Sequence, residues 1–435
     1  MKQSVSGCLV VVVGLCSMMP VAASPSLLWE NLRFDEDYRQ HFQQGIELPV
    51  WKQPLQSVPL VIGGNARLQY EYTELFEPED GVRHEEKLLQ RYTAHLDWYA
   101  SERSRLFLQL IYADELDANV RPSPVDESNL QLHQGIYQYL TDALEIRLGK
   151  QEIIFGGKRL FSARDGTNVR RTHMAFRGQY LSAGHRYRLM AGSPIDNRRG
   201  SWESEVNHDE RYYHLGWQYQ DLEGGYYFYE NDDPFVGEGT AYRHMLTLAH
   251  EQQLVQWQLN THVFLQWGRD AEKDIQAWRY SGELVRDLGN DAELVLALDV
   301  ASGGISDDKI KTFDSMYMRG SFLSELSSFT ASNLITLNPH LQFDLGGGLE
   351  VKLESSLYWR YSEDDTLYNP GRRQAFSADL EDAFVGVAFA VASEWELSER
   401  FEIELNFGRL FFADDLVEQG VDHSGEIEIL LDYAF

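Results

Sequence analysis

The chain has 435 residues and carries 68 Asp and Glu against 38 Lys and Arg, a formal net charge of −30. That acid excess argues against nucleic-acid binding, which needs a domain-wide positive footprint. Its two cysteines, Cys8 and Cys16, both fall in the N-terminal apolar run, so the remainder can hold neither a disulfide framework nor a thiolate metal site.

In chain order, Lys2 precedes an apolar run through CLVVVVGLCSMMP, and Val21-Ala22-Ala23 presents small residues to a signal peptidase. The pattern predicts a secretory signal peptide over 1–23, cut after Ala23. The stretch VSGC ending at Cys8 has the shape of a lipoprotein box, but it precedes the apolar core instead of following it, so lipidation there is rejected. The run is too short and too early for a membrane span. Residues 24–59, with DEDYRQHFQQG, read as a leader before the first strand.

Beyond the leader the pattern turns to period two. In VQWQLNTHVFLQW, Val255, Trp257, Leu259, Val263, Leu265 and Trp267 share one face, while Gln256, Gln258, Asn260, His262 and Gln266 share the other. Leu349, Val351, Leu353, Leu357, Trp359 and Tyr361 oppose Glu350, Lys352, Glu354, Ser356 and Arg360 in the same way. Residues 88–100 repeat the pattern, as do 65–73, 144–149, 293–300, 401–409 and 427–435. Mean hydropathy is −0.40, which alone would suggest a water-soluble chain. Transmembrane barrels escape that test, because every second residue faces a polar lumen. Aromatics make up 13% of the chain, and many strands carry Trp or Tyr near an end, as rings at the headgroup level do. Strands of about ten residues fit a bilayer better than a soluble sandwich, whose strands run to about five or six.

At roughly 20 residues per strand and connection, residues 60–435 predict an all-β, antiparallel, single-chain transmembrane barrel of about 18 strands with pore-lining loops. A β-solenoid would show a fixed repeat, and none is seen. The ending EIEILLDYAF puts Ile427, Ile429, Leu431, Tyr433 and Phe435 on one face. It resembles the last strand of bacterial outer-membrane barrels, whose terminal Phe the barrel assembly machinery reads. The stretches 196–210, 231–240 and 303–328 are too long and polar for tight turns and read as surface loops, some folding into the mouth.

The segment RLGKQEIIFGGKRLFSARDGTNVRRTH, 147–173, is dense in Lys and Arg for so acidic a chain. It is not a nucleotide loop, since Arg159 follows Gly157-Lys158 and no Gly stands five residues before Gly157. Two readings stay open on residue chemistry. The arginines could pair with carboxylates in solvent, where each pair contributes little. Alternatively, Leu144, Ile146 and Leu148 face lipid, which turns Arg147 and Gly149 to the lumen with Glu145. Arg on the lipid face would cost about 2–4 kcal/mol at midplane. Irregular backbone at that depth must line a water-filled cavity, and a basic constriction there would select anions.

The same segment resembles the alginate-export family of outer-membrane proteins. The residues carrying the likeness are Arg147, Gly149, Lys150, Gln151, Glu152, Arg159, Leu160, Arg164, Asp165, Gly166, Asn168, Val169, Arg170, Arg171, Thr172 and Arg177. Two further stretches resemble later parts of the family, DVASGGISDDKIKTFDSMYMRGSF with NLITLNPHL, and YWRYSEDDTLYNPG. Where the family often has Phe-Asp after N-V-R-R-T, this chain has His173-Met174. The resemblance implies an eighteen-stranded barrel with a basic pore that passes a polyuronate.

The function expected is therefore an outer-membrane channel for an anionic polysaccharide, alginate or a related uronate polymer. Arg67, Arg91, Arg147 and Arg360 lie on polar strand faces and are the lumen candidates. Lys150, Lys158, Arg159, Arg164, Arg170, Arg171 and Arg177 belong to the motif and are expected to build the constriction, with Glu152 and Asp165 orienting them. The acidity is expected in loops and turns, leaving a basic throat. The alternatives are a porin for small anions or oligosaccharides and, less favoured, an outer-membrane enzyme such as a lipase or protease. The 13 His form no local catalytic signature, and His95 and His262 read as solvated lumen residues. No cofactor, metal or nucleic acid is expected. The expected partners are an anionic polysaccharide or oligosaccharide, outer-membrane lipid, the barrel assembly machinery and a periplasmic scaffold of a secretion complex. The protein is expected as a monomer in the outer membrane of a Gram-negative cell.

Overall fold

A computed structural model describes residues 32–44, 58–79, 82–116, 123–164, 166–233, 239–318, 322–371, 374–375 and 381–435. The signal peptide and its cut at Ala23, residues 45–57 of the leader, and Asp165 lie outside the described residues. Eighteen long strands follow one another, each antiparallel to the next. They are β1 Leu60–Glu79, β2 Val82–Tyr99, β3 Ser104–Leu116, β4 Ser128–Leu140, β5 Leu144–Gln151 and β6 His173–Ser182. Next come β7 His185–Asp196, β8 Glu210–Tyr219, β9 Leu222–Asn231, β10 Ala241–Leu254, β11 Trp257–Asp270 and β12 Lys273–Asp287. The last six are β13 Ala292–Ala301, β14 Leu334–Asp344, β15 Leu349–Arg360, β16 Phe384–Ser398, β17 Phe401–Phe412 and β18 Ser424–Ala434. Strand β18 pairs back onto β1, from Asn65↔Ala434 to Thr73↔Glu426, and closes the barrel without an edge.

Closure sorts the two faces of every strand. On β11, Leu265 and Trp267 are 49% and 39% exposed on the outside, whereas Asn260, His262 and Gln266 are buried inside. Apolar outside and polar inside is the reverse of a water-soluble protein, and it is the arrangement of a barrel in lipid. The outer wall also carries exposed rings, among them Tyr92, Trp98, Tyr180, Trp395 and Tyr433. One detail differs from the alternation. Val255 and Gln256 form the two-residue turn between β10 and β11, with Val255 at φ 45° and almost fully exposed. A turn without Gly, Asn or Asp leaves no composition signal.

Connections at one end, from 100–103 round to 399–400, have two to four residues, and the longer ones gather at the other end. Barrels of this kind have short periplasmic turns and longer extracellular loops. The described residues of two long connections, 152–172 and 302–333, turn inward and pack on each other. The Ser162 N–H donates to the Tyr317 carbonyl (3.1 Å), and the Tyr317 N–H donates to the Leu160 carbonyl (3.0 Å). Phe161, Phe313, Tyr317 and Phe329 then form an apolar core against wall residues Tyr212 and Tyr227. The described part of 303–328 is thus one of the long loops that fold into the mouth.

A charged lumen as the candidate functional site

The strand pairing decides which charges meet. Arg67 on β1 lies directly opposite Arg91 on β2, and Arg147 on β5 lies directly opposite Arg177 on β6. Like charges facing each other across two strands destabilise a sheet. Such local conflicts concentrate at functional sites.

Arg67, Arg91 and Arg170 converge with Arg33 on a cavity that also touches Asn65, Thr93 and Gln109. Opposite them stand Glu152, Glu402, Glu404 and Asp432. Arg67 Nε donates to Asp432 (3.2 Å), and Arg91 Nη2 lies 3.7 Å from the same carboxylate. Arg170 Nη1 donates to Glu152 (3.2 Å), whose other oxygen is 2.6 Å from His133 Nε2. Glu402 and Glu404 make no ion pair with a described residue.

The acidity is not confined to loops, contrary to the sequence reading. Exposed Phe389, Val391, Leu405, Phe407, Ile427 and Ile429 mark the outer faces of β16, β17 and β18. The alternate positions turn Glu394, Glu396, Glu402, Glu404, Glu426 and Glu428 inward. Pairing then places Glu394 opposite Glu404, Glu396 opposite Glu402, and Glu402 opposite Asp432. On β15, Glu350 faces Glu394. The lumen therefore has a basic wall around β1–β7 and an acidic wall over β15–β18.

Several motif residues support the inward loops instead of lining the cavity. Arg159 is fully buried and donates to Glu283 (2.8 Å) and Ser281 (3.1 Å), with its guanidinium 4.1 Å from the Phe322 ring centre. Arg171 donates to the Tyr317 carbonyl (2.7 Å). Asn168 donates to the Asp126 and Gln90 carbonyls (2.8 and 3.1 Å), and the Val169 N–H reaches the Val125 carbonyl (2.8 Å). These contacts staple the N-V-R-R-T stretch to the wall. His173, where the family often has Phe, is fully buried among Phe161, Tyr212 and Tyr317 and keeps an aromatic ring in that place. Lys158 and Arg164 occupy left-handed turn conformations at φ 63° and 60°. Arg360 is buried but donates to the Asp382 carbonyl (2.8 Å), just ahead of β16, instead of facing the cavity.

Lys150 departs from the expectation. It shares the outward side of β5 with exposed Leu148, lies opposite exposed Met174, and donates to the Leu132 carbonyl (2.7 Å). Parity excludes it from the lumen. The expected lumen histidines are buried beside rings, His95 on Phe107 and His262 on Phe264.

Sequence reasoning missed Arg33, Glu402, Glu404 and Asp432 at the cavity. It also missed Arg279, which pairs with Asp299 (2.7 Å) beside Arg159. The polar parity of β17 and β18 carried a signal for the carboxylates. Nothing in the leader marked Arg33.

The barrel is similar to several solved structures. A BenF-like porin from Pseudomonas fluorescens Pf-5 matches with TM-score 0.62 at 12% identity, over 88% of this chain and 99% of that one. OccAB4 of Acinetobacter baumannii matches with TM-score 0.62 at 11% identity, over 88% and 100%. The outer membrane protein opdK of Pseudomonas aeruginosa matches with TM-score 0.60 at 13% identity, over 86% and 98%. At such identities the likeness concerns the fold. No curated protein matches the sequence. The family model for alginate export matches residues 58–428, and the chain belongs to that family of outer-membrane channels.

Proposed function

We propose that the protein passes carboxylate-bearing saccharides, polyuronate chains of the alginate kind, along the basic wall of its lumen. The carrying observation is the pair of cross-strand arginine contacts, Arg67 with Arg91 and Arg147 with Arg177, turned inward on neighbouring strands. Guanidinium groups bind carboxylates through charge-assisted hydrogen bonds. A row of them lets successive carboxylates exchange hydration for contacts weak enough to release. The opposing carboxylates keep an anion on one side of the path. Cleavage after Ala23, insertion by the barrel assembly machinery, a monomeric state and docking to a periplasmic scaffold complete this reading.

A second reading, uptake of small anions or oligosaccharides, is favoured by the convergence of Arg33, Arg67, Arg91 and Arg170 on one cavity, where a single small anion could meet several guanidinium groups. Planar-bilayer recordings separate the two. Anion selectivity, block by polyuronate at lower concentration than by monouronate, and weakening of both by Arg67→Gln with Arg91→Gln are expected for the first. Equal block per residue by polymer and monomer supports the second. Cation selectivity with no block by either sinks both.

A further inference from the structure

The segment Leu32–Gln44 lies inside the barrel, against the inner wall of β2–β5 near the short turns. Phe34 anchors it. Its ring is buried edge-on to Phe107 at 5.6 Å, with the Arg105 and Arg147 guanidinium carbons 4.2 and 4.5 Å from its centre. Arg105 also donates to the Glu36 carbonyl (2.7 Å), and the Tyr38 N–H donates to the Tyr99 hydroxyl (2.8 Å).

Between these anchors Asp35 presents its carboxylate to Arg147, which donates from Nη1 at 3.1 Å. Arg147 Nε is taken by Glu145 at 2.5 Å on the same strand. Arg177, opposite Arg147, has no hydrogen bond or ion pair with a described residue. Two guanidinium groups are thus balanced by one wall carboxylate and one carboxylate from a separate segment. The Asp35 side chain is 41% exposed, and so open an ion pair is weak. A free carboxylate that replaced it would restore the same charge balance.

We propose that Arg147 and Arg177 form a carboxylate-binding subsite in the lumen, and that Asp35 is its tethered occupant, displaced by incoming carboxylates. The inference rests on the anionic-cargo reading and adds regulation to it. The chain's own carboxylate holds the subsite while the lumen is idle. Phe34 and Tyr38 keep the segment close enough to return after each release.

The test uses the full mature chain in planar bilayers with glucuronate as blocker. Asp35→Asn keeps the side-chain shape and removes its charge. If Asp35 fills the subsite nine-tenths of the time, its removal should raise apparent affinity about tenfold. The half-blocking concentration should fall by that factor, and Arg177→Gln added to Asp35→Asn should cancel the gain. Asp37→Asn makes the same charge change two residues on and should leave block unaltered. The tethered occupant is overturned if wild type is blocked while Asp35→Asn equals it, or if Asp37→Asn matches the gain. A gain that survives Arg177→Gln overturns the subsite. Absence of block by glucuronate and polyuronate in every variant, wild type included, removes the anionic-cargo reading itself.

Discussion

Replacing Arg159 with alanine tests whether a buried charge pins the inward loop to the barrel wall. The side chain is wholly enclosed, bonded to Glu283 and Ser281 on β12 and stacked on Phe322. Truncation leaves Glu283, 8% exposed, without that partner, while the neighbouring Arg279 stays tied to Asp299. Removing one partner of a buried pair costs about 3–5 kcal/mol, and the lost cation–π contact adds about 0.5–2 kcal/mol. No strand-to-strand hydrogen bond uses the Arg159 side chain, so the loss falls on docking of residues 152–172 and not on the barrel. At about 1.36 kcal/mol per decade, the ion-pair term alone shifts the docked population by about two to four decades. The barrel should keep its heat-modifiable mobility on gels, while single-channel current becomes noisy with openings larger than wild type. Arg159→Lys, which keeps the charge but not the planar fork, should fall between. A quiet trace of wild-type amplitude from Arg159→Ala would refute the reasoning, as would loss of the folded barrel.

Two further outcomes follow from the same structure. Glu402→Gln with Glu404→Gln removes like charges facing Glu396 and Glu394, so reversal potentials in a salt gradient should move toward anion selectivity. Each relieved pair should also stabilise the barrel by about 0.2–1 kcal/mol, read as a higher urea midpoint. Gly149→Ala should lower the yield of folded barrel in lipid. Gly149 has φ 124°, and a Cβ there would sit 2.0 Å from the Gly135 carbonyl oxygen. Normal yield and stability would show that the β4–β5 hairpin relaxes around the methyl.

The barrel was legible because alternation survives without any knowledge of tertiary contacts. Leu265 and Trp267 outside with Gln266 inside follow from parity alone. Parity also places Lys150 on the lipid side of β5, although its place in the motif had grouped it with the lumen arginines. What alternation cannot supply is register. Arg67 meets Arg91, and Glu394 meets Glu404, only because hairpins fix how far each strand slides past its neighbour. The acidic wall was half visible, since Glu426, Glu428 and Asp432 sit on the polar side of the final strand, whose apolar side drew the reading. The leader hid most. Phe34 and Tyr38 stand among charged residues with no period, so their burial inside the lumen depends on partners more than sixty residues away, such as Tyr99 and Phe107.

The cavity straddles the join between the first and last strands, and this bears on how the ring is made. Asp432 on β18 accepts from Asn65 Nδ2 (3.0 Å) and Arg67 Nε (3.2 Å) on β1, residues 367 and 365 positions away. Before the ends meet, one margin of the sheet carries the cations and the other their counter-charges. Entropy opposes bringing such distant segments together, and opposite charges steer approach over about a Debye length. A sheet slipped by two residues would keep its greasy side out yet lose the match at Asp432. The ion pairs beside the path therefore double as a clasp that tells the closing strand where to stop.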